Sequence, residues 1–183
     1  MDQERAWIEQ ALEGDRVAFG HLVRAYERPV YNLTYRMLGD PAEAEDAAQE
    51  TFLRAYTKLA TFQPERKFVN WLLSIASHHC IDRLRRRGRA PQLSLDGPLP
   101  PQWTISDSPR PDQEVSRKQE RERVRHALDA LPPDYRAAVI LRYWYNLSYR
   151  EISNVMNTTE SAIKSRLHRA RRMLGQQLQS AQV

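Results

Sequence analysis

Cysteine is nearly missing: Cys80 stands alone in 183 residues, so no intrachain disulfide can form and nothing points to an oxidising compartment. Long apolar runs are missing too, none approaching the roughly 18 residues needed to span a bilayer. The opening MDQERAWIEQ carries early acids and no apolar core, unlike a secretory signal. Glycine is scarce at 6 residues, no glycine-rich phosphate loop is present, and no stretch alternates with the period of two that a half-buried strand requires. There is no internal repeat. The expectation is a cytoplasmic, all-α protein with no membrane insertion, no cofactor and no small-molecule substrate.

Charge is unevenly spread. Residues 1–60 hold 7 Lys/Arg against 11 Asp/Glu, residues 61–87 hold 6 against 2, residues 88–113 hold 2 against 3, and residues 114–183 hold 13 against 7. The modest net charge of +5 therefore conceals two basic blocks, an acidic block and a near-neutral spacer. Basic blocks of this kind are the electrostatic footprint of phosphate binding, and the acidic block needs a different partner.

The most informative stretch is LSYREISNVMNTTESAIKSRLHRARRML, residues 147–174. Its second half places Ile163, Leu167, Ala170 and Leu174 on one helical face. Ser161, Ser165, His168, Arg169 and Arg172 then point away from it, with Lys164 and Arg166 on the flanks. Its first half turns Leu147, Ile152 and Val155 inward, with Ser148 as N-cap and Glu151 as its capping-box partner. Between them Asn157 tolerates the left-handed backbone of a helix C-cap, and Thr159 can cap the next helix. Caps, turn and one-sided basicity together predict a helix-turn-helix whose second helix enters a major groove; a basic helix alone would more simply be a solvated face.

Upstream, a short helix is expected around Trp7, Ile8 and Leu12. Phe19, Leu22, Val23, Tyr26, Val30, Leu33 and Met37 then mark a long amphipathic helix capped by Asp15, with a kink or break at Pro29 near Arg28 and an end at Gly39. Asp40-Pro41 opens the next helix. Its inner face is Ala44, Ala47, Ala48, Phe52, Ala55, Tyr56 and Leu59, and Glu43, Asp46, Glu50 and Arg54 gather on another. Carboxylates at this spacing without a histidine make a poor metal site. The face is either solvated or a dock for a basic or amide-rich partner.

Residues 61–68 read as a loop. The following helix has Trp71, Leu72, Ile75, Ala76, His79 and Leu84 on a buried stripe and ends in Arg83, Arg85, Arg86 and Arg87. Four arginines in five positions exceed what the helix dipole attracts. His78-His79-Cys80 is no metal site, since neighbouring helical positions diverge by about 100°. Residues 88–113 hold six of the 11 prolines and read as a linker, able to reach about 90 Å when taut. Beyond it a helix over residues 114–131, with Val124, Ala127, Leu128 and Leu131 inward, stops at Pro132-Pro133; Asp134 caps the next, which runs into Tyr143-Trp144-Tyr145.

Four segments in this order, DAAQETFLRAY at 46–56, the W-L-x-x-I-A stretch through IDRLRRR at 71–87, LPPDYRAAVILRYWYNLSYREI at 131–152 and IKSRLHRARRML at 163–174, resemble the signatures of extracytoplasmic-function sigma factors of bacterial RNA polymerase. The resemblance implies two non-enzymatic helical domains, residues 1–87 reading the −10 promoter element and residues 114–183 the −35 element, on a flexible linker at 88–113. It gives Asp46, Gln49, Glu50 and Arg54 the clamp coiled coil of core polymerase as partner. The flap and an anti-sigma factor are the other protein partners it implies. It gives Phe62, Lys67, Phe68, Asn70, Arg83, Arg86 and Arg87 the −10 strand, and Ser161, Lys164, Ser165, Arg166, His168, Arg169 and Arg172 the −35 duplex. Asn157 stands where the family usually has glycine, Thr158 where it has an apolar residue, Ser161-Ala162 where it has Gly-Thr, and Asn70 where it has a small residue. The turn tolerates these changes, but base preference need not follow the family.

Other classes share such a helix-turn-helix. A transcriptional regulator acting without polymerase core exchange would need a sensory domain, and a recombinase a catalytic one; the N-terminal half offers neither pattern. An anti-sigma mimic would not need basic promoter-facing surfaces.

Overall fold

The computed structural model describes residues 2–88 and 122–180, and every regular element among them is helical. The linker at 88–113, beyond Gly88, and the expected start of the next helix at Glu114 lie outside the described residues. Helices α1 (Asp2–Leu12), α2 (Arg16–Leu38), α3 (Pro41–Lys58) and α4 (Phe68–Arg87) form an N-terminal body, with a 3₁₀ turn at Leu59–Thr61. The C-terminal body comprises α5 (helical over 122–129), α6 (Pro133–Tyr143), α7 (Tyr149–Val155) and α8 (Glu160–Ser180).

Local chemistry sets most boundaries. The Asp15 carboxylate accepts from the Val17 and Ala18 amides to start α2, and Gly39, at φ 76°, ends it by donating to the Tyr35 carbonyl. Asp40 accepts from the Glu43 amide and Pro41 takes the first turn of α3. The expected break at Pro29 does not occur: α2 runs through it without interruption. Leu22 lies before the proline and Val30, Leu33 and Met37 after it, all fully buried, so the apolar stripe continues across it.

Packing is closest where side chains are smallest. Ala44, Ala47, Ala48, Thr51 and Ala55 form the buried face of α3, and the Thr34 hydroxyl donates across to the Ala44 carbonyl at 2.8 Å. Tyr56 departs from the expected inner face; it is exposed at the rim, edge-on to Phe19. Helix α4 buries Phe68, Leu72, Leu73, Ala76, Ser77, His79, Cys80 and Ile81, more than one stripe, because α2 and α3 pack on one side and α6 and α7 on another. Trp71, Ile75 and Leu84, expected on the buried stripe, are only half-buried. Val124 is exposed rather than inward, while Leu128 and Leu131 are buried.

Gly39 combines a left-handed backbone with a close neighbour, since an added Cβ would lie 3.2 Å from the Arg125 guanidinium nitrogen Nε. Gly39→Ala is expected to lower stability by about 1–2 kcal/mol through the left-handed strain alone, read as a lowered midpoint in urea unfolding.

Candidate polymerase and nucleic-acid interface

The helix-turn-helix has the expected geometry. Ser148 accepts from the Glu151 amide while the Glu151 carboxylate accepts from the Ser148 backbone amide at 3.0 Å, closing a capping box on α7. Asn157 takes φ 48°, and the Thr159 hydroxyl accepts from the Ala162 amide at 3.1 Å to start α8. Ile163, Leu167 and Ala170 are buried against α6 and α7. The opposite arc, Ser161, Lys164, Ser165, His168, Arg169 and Arg172, is exposed. Arg169 receives one constraint from its own body, a 3.3 Å hydrogen bond to the Tyr135 hydroxyl. Arg166 is half-buried and lies 3.9 Å from Asp134, so it belongs to the flank.

On α3, Asp46 and Gln49 are exposed and Glu50 and Arg54 half-exposed. Glu50 and Arg54 pair at 2.6 Å, and that hydrogen bond holds the Glu50 carboxyl below the usual carboxylate range. Beneath them His79 is buried, with neither ring nitrogen hydrogen-bonded; burial, reinforced by the Arg54 charge, lowers its pKa. Cys80 beside it is inert, its thiol pushed up to about 12 by burial. Among the described residues no His, Cys, Asp and Glu side chains are grouped to hold a metal ion, and no helix is long and apolar enough to cross a membrane.

The −10 group is less uniform than its residue types suggest. Lys67 is exposed at the start of α4, and Asn70 and Phe62 are half-buried. Phe68 is a correction: at 1% exposure it is a core residue, ringed by Tyr26, Phe62 and Trp71, so it presents no face for a base to stack on. Arg83 lies 3.9 Å from Glu43 and 3.7 Å from Asp46, and Arg87 also pairs with Glu43, which ties the basic end of α4 to the acidic face of α3. Arg86 is exposed and donates to the Asp82 carbonyl of its own helix at 3.3 Å.

Two families match this arrangement in chain order: the model of Sigma-70 region 2 covers residues 22–90 and that of Sigma-70, region 4 covers residues 121–174. The ECF RNA polymerase sigma factor SigW of Bacillus subtilis is 35% identical over 93% of this chain and 94% of its own length. The chain belongs to the extracytoplasmic-function sigma factors. The RNA polymerase sigma-H factor of Pseudomonas aeruginosa is 32% identical over 97% of this chain and 95% of its own. Among solved structures, CnrH in complex with the cytosolic domain of CnrY has a TM-score of 0.68 at 25% identity, covering 98% of this chain and 99% of that one. The fold is also that of RpoE of Bartonella quintana, solved with the anti-sigma factor NepR, with a TM-score of 0.65 at 23% identity over 88% of this chain and 96% of that one. As a sigma factor this chain is a non-enzymatic initiation factor that directs transcription to promoters.

Sequence reasoning missed the residues that join the two bodies. Arg136, 5% exposed, donates to the Met37 carbonyl at 2.6 Å and to Asp129 Oδ1 at 2.8 Å; burial lowers its pKa while Asp129 opposes the shift. The Tyr145 hydroxyl donates to the Pro29 carbonyl at 2.6 Å, Arg36 sits 5.3 Å from the centre of the Trp144 ring, and Arg85 pairs with Asp134 at 2.8 Å. The one available signal was an arginine placed inside the apolar run of α6.

The Glu151 carboxyl is held down to about 2, first by the Ser148 backbone amide and then by Lys67. A carboxyl lowered below its ordinary value of 4.5 contributes fully above that pH and loses its contribution as pH falls toward about 2. Urea midpoints of the native chain and Glu151→Gln should therefore differ at pH 6 and converge near pH 2; a constant difference would show that the charge is irrelevant.

Proposed function

We propose that residues 1–87 form the sigma region 2 domain, 88–113 a flexible linker and 114–183 the region 4 domain, and that the cytoplasmic chain bridges core RNA polymerase and a promoter. The observation that carries this reading is the separation of two unlike faces: exposed carboxylates and an amide on α3, and an exposed basic arc on α8. Asp46, Gln49, Glu50 and Arg54 dock on the clamp coiled coil, and region 4 meets the flap. Lys164, Ser165, His168, Arg169 and Arg172 face the −35 duplex with Ser161 at the entering end, and Arg166 reaches phosphate from the side. Phe62, Lys67 and Asn70 take the unpaired −10 strand, whose backbone follows Arg83, Arg86 and Arg87. RpoE was solved with the anti-sigma factor NepR and CnrH with the cytosolic domain of CnrY, and an anti-sigma partner is part of this reading for the present chain as well.

Reversing Asp46 and Glu50 together, Asp46→Lys with Glu50→Lys, is expected to weaken holoenzyme assembly, measured by competition for purified core polymerase. The fold should persist, because exposed charge changes usually alter stability by less than about 0.5 kcal/mol. Unchanged assembly would remove α3 from the polymerase interface.

Arg169 lies near the centre of the exposed arc and is assigned a base contact, of the kind that discriminates by about 1–3 kcal/mol. Arg169→Ala should relax preference at one position of the −35 element in a binding selection on randomised promoters. A loss equal on all sequences would make it a phosphate contact.

A further inference from the structure

His79 is buried where α4 packs against α3, 8% exposed, and both of its ring nitrogens are shut off from solvent without a hydrogen-bond partner. A neutral imidazole carries one N–H donor and one acceptor, and leaving both unmet is unfavourable. Packing alone does not call for such a ring, since the neighbouring buried positions of α4 are filled by Ala76, Cys80 and Ile81. What sets position 79 apart is the group of charges over it.

The charged groups that act on the ring are Arg54 and Glu50 of α3 and Arg83 and Arg86 of α4; among the described residues none from α2, α6 or α7, the other helices packed on α4, is one of them. Three are cations and one is an anion. Glu50 and Arg54 are the half-exposed pair of the face assigned above to core polymerase, and the 2.6 Å bond from Arg54 uses Glu50 Oε1 alone. His79 acts on the Glu50 carboxyl in return, helping Arg54 to hold it low. A proton on His79 would place a fourth cation in this group, and burial first and Arg54 second oppose it. A buried imidazolium must find an anion, and of the groups that act on it only Glu50 is one.

We propose that His79 is an acid-sensing positioning residue for polymerase docking: uncharged, it leaves Glu50 on Arg54 and facing outward; protonated, it donates to Glu50, draws that carboxylate inward from Arg54 and from the polymerase, and weakens assembly. The proton comes from solvent and returns to it as pH rises, and only hydrogen bonds change. The direction follows from burial. In the unfolded chain the ring takes up its proton near the ordinary 6.5, in the native chain only below it. Stability is therefore undiminished above 6.5 and falls as pH drops from there toward the native value, at which the docking face itself changes. This inference rests on the assignment of Glu50 and Arg54 to the polymerase interface.

Two measurements on the full chain test it. In the free chain the imidazole Cε1–H resonance of His79, identified by its absence in His79→Leu, is followed against pH by NMR. Its midpoint should lie below 6.5, move further down in Glu50→Gln, which removes the anion, and move up in Arg54→Met, which removes the strongest opposing charge. A midpoint at or above 6.5, or one unmoved by Glu50→Gln, overturns the inference whatever the polymerase does. The second measurement is affinity for purified core polymerase at pH 7.5 and pH 5.5. Between them the native chain should lose at least about twofold more affinity than His79→Leu, a variant expected to fold because it removes two orphaned polar atoms. His79→Gln, polar but unable to titrate, should match His79→Leu and replaces it if the leucine disturbs the fold by circular dichroism. An equal loss in the native chain and the variants, or no loss in any of them, overturns the role of His79. If Asp46→Lys with Glu50→Lys still weakens assembly in that case, the docking assignment stands without it. If that pair leaves assembly unchanged, the docking assignment fails and the inference with it.

Discussion

Everything in this sigma factor is arranged about α4. A helix in contact with α2, α3, α6 and α7 must be apolar around much of its circumference, and it is: Leu72, Leu73, Ala76, Ser77, Cys80 and Ile81 are all buried. The cost of burying the Ser77 hydroxyl and the His79 ring without hydrogen-bond partners is accepted at its centre. Its two ends emerge into solvent and are cationic, Lys67 at one and Arg83 to Arg87 at the other. The helix is thus a buried axle with two basic ends, which explains how one element serves both the core and a DNA-facing surface.

Those basic ends are rarely left unpaired. Glu43 and Asp46 of α3 engage Arg83 and Arg87, Asp134 engages Arg85, and Glu151 engages Lys67. Each of these surface pairs is weak by itself and screened by salt. A set of weak pairs gives an arrangement that is held but exchangeable, which suits a protein that trades intramolecular partners for polymerase and DNA.

Arg136 differs in kind. Its guanidinium is buried, and its Nη1 and Nη2 bond to the Met37 carbonyl and to the side chain and carbonyl of Asp129. A planar fork of donors can satisfy several acceptors in fixed directions at once, which a lysine cannot do. The result is a joint between α2, α5 and α6 at the end of α2 where Gly39 turns the chain toward α3.

The helices, their caps and the helix-turn-helix were legible because they depend on near neighbours. Asp15, Asp40, Ser148 with Glu151, Asn157 and Thr159 all act within a few residues of where they stand, and the stripe Ile163, Leu167, Ala170 follows from 3.6 residues per turn. The exposed arc of α8 and the acidic face of α3 followed from the same periodicity. What depended on distant neighbours was not legible. Periodicity could not tell that Phe68 would be core and Lys67 exposed, since the aromatic cluster that encloses Phe68 includes Tyr26 of α2. Nor could it tell that Pro29 would sit in an unbroken helix, or that Arg136, Tyr145 and Glu151 would meet residues 99, 116 and 84 positions away. A helical pattern fixes which way a side chain points from its own axis; only the packing of α6 and α7 onto α2 and α4 decided what lay in that direction.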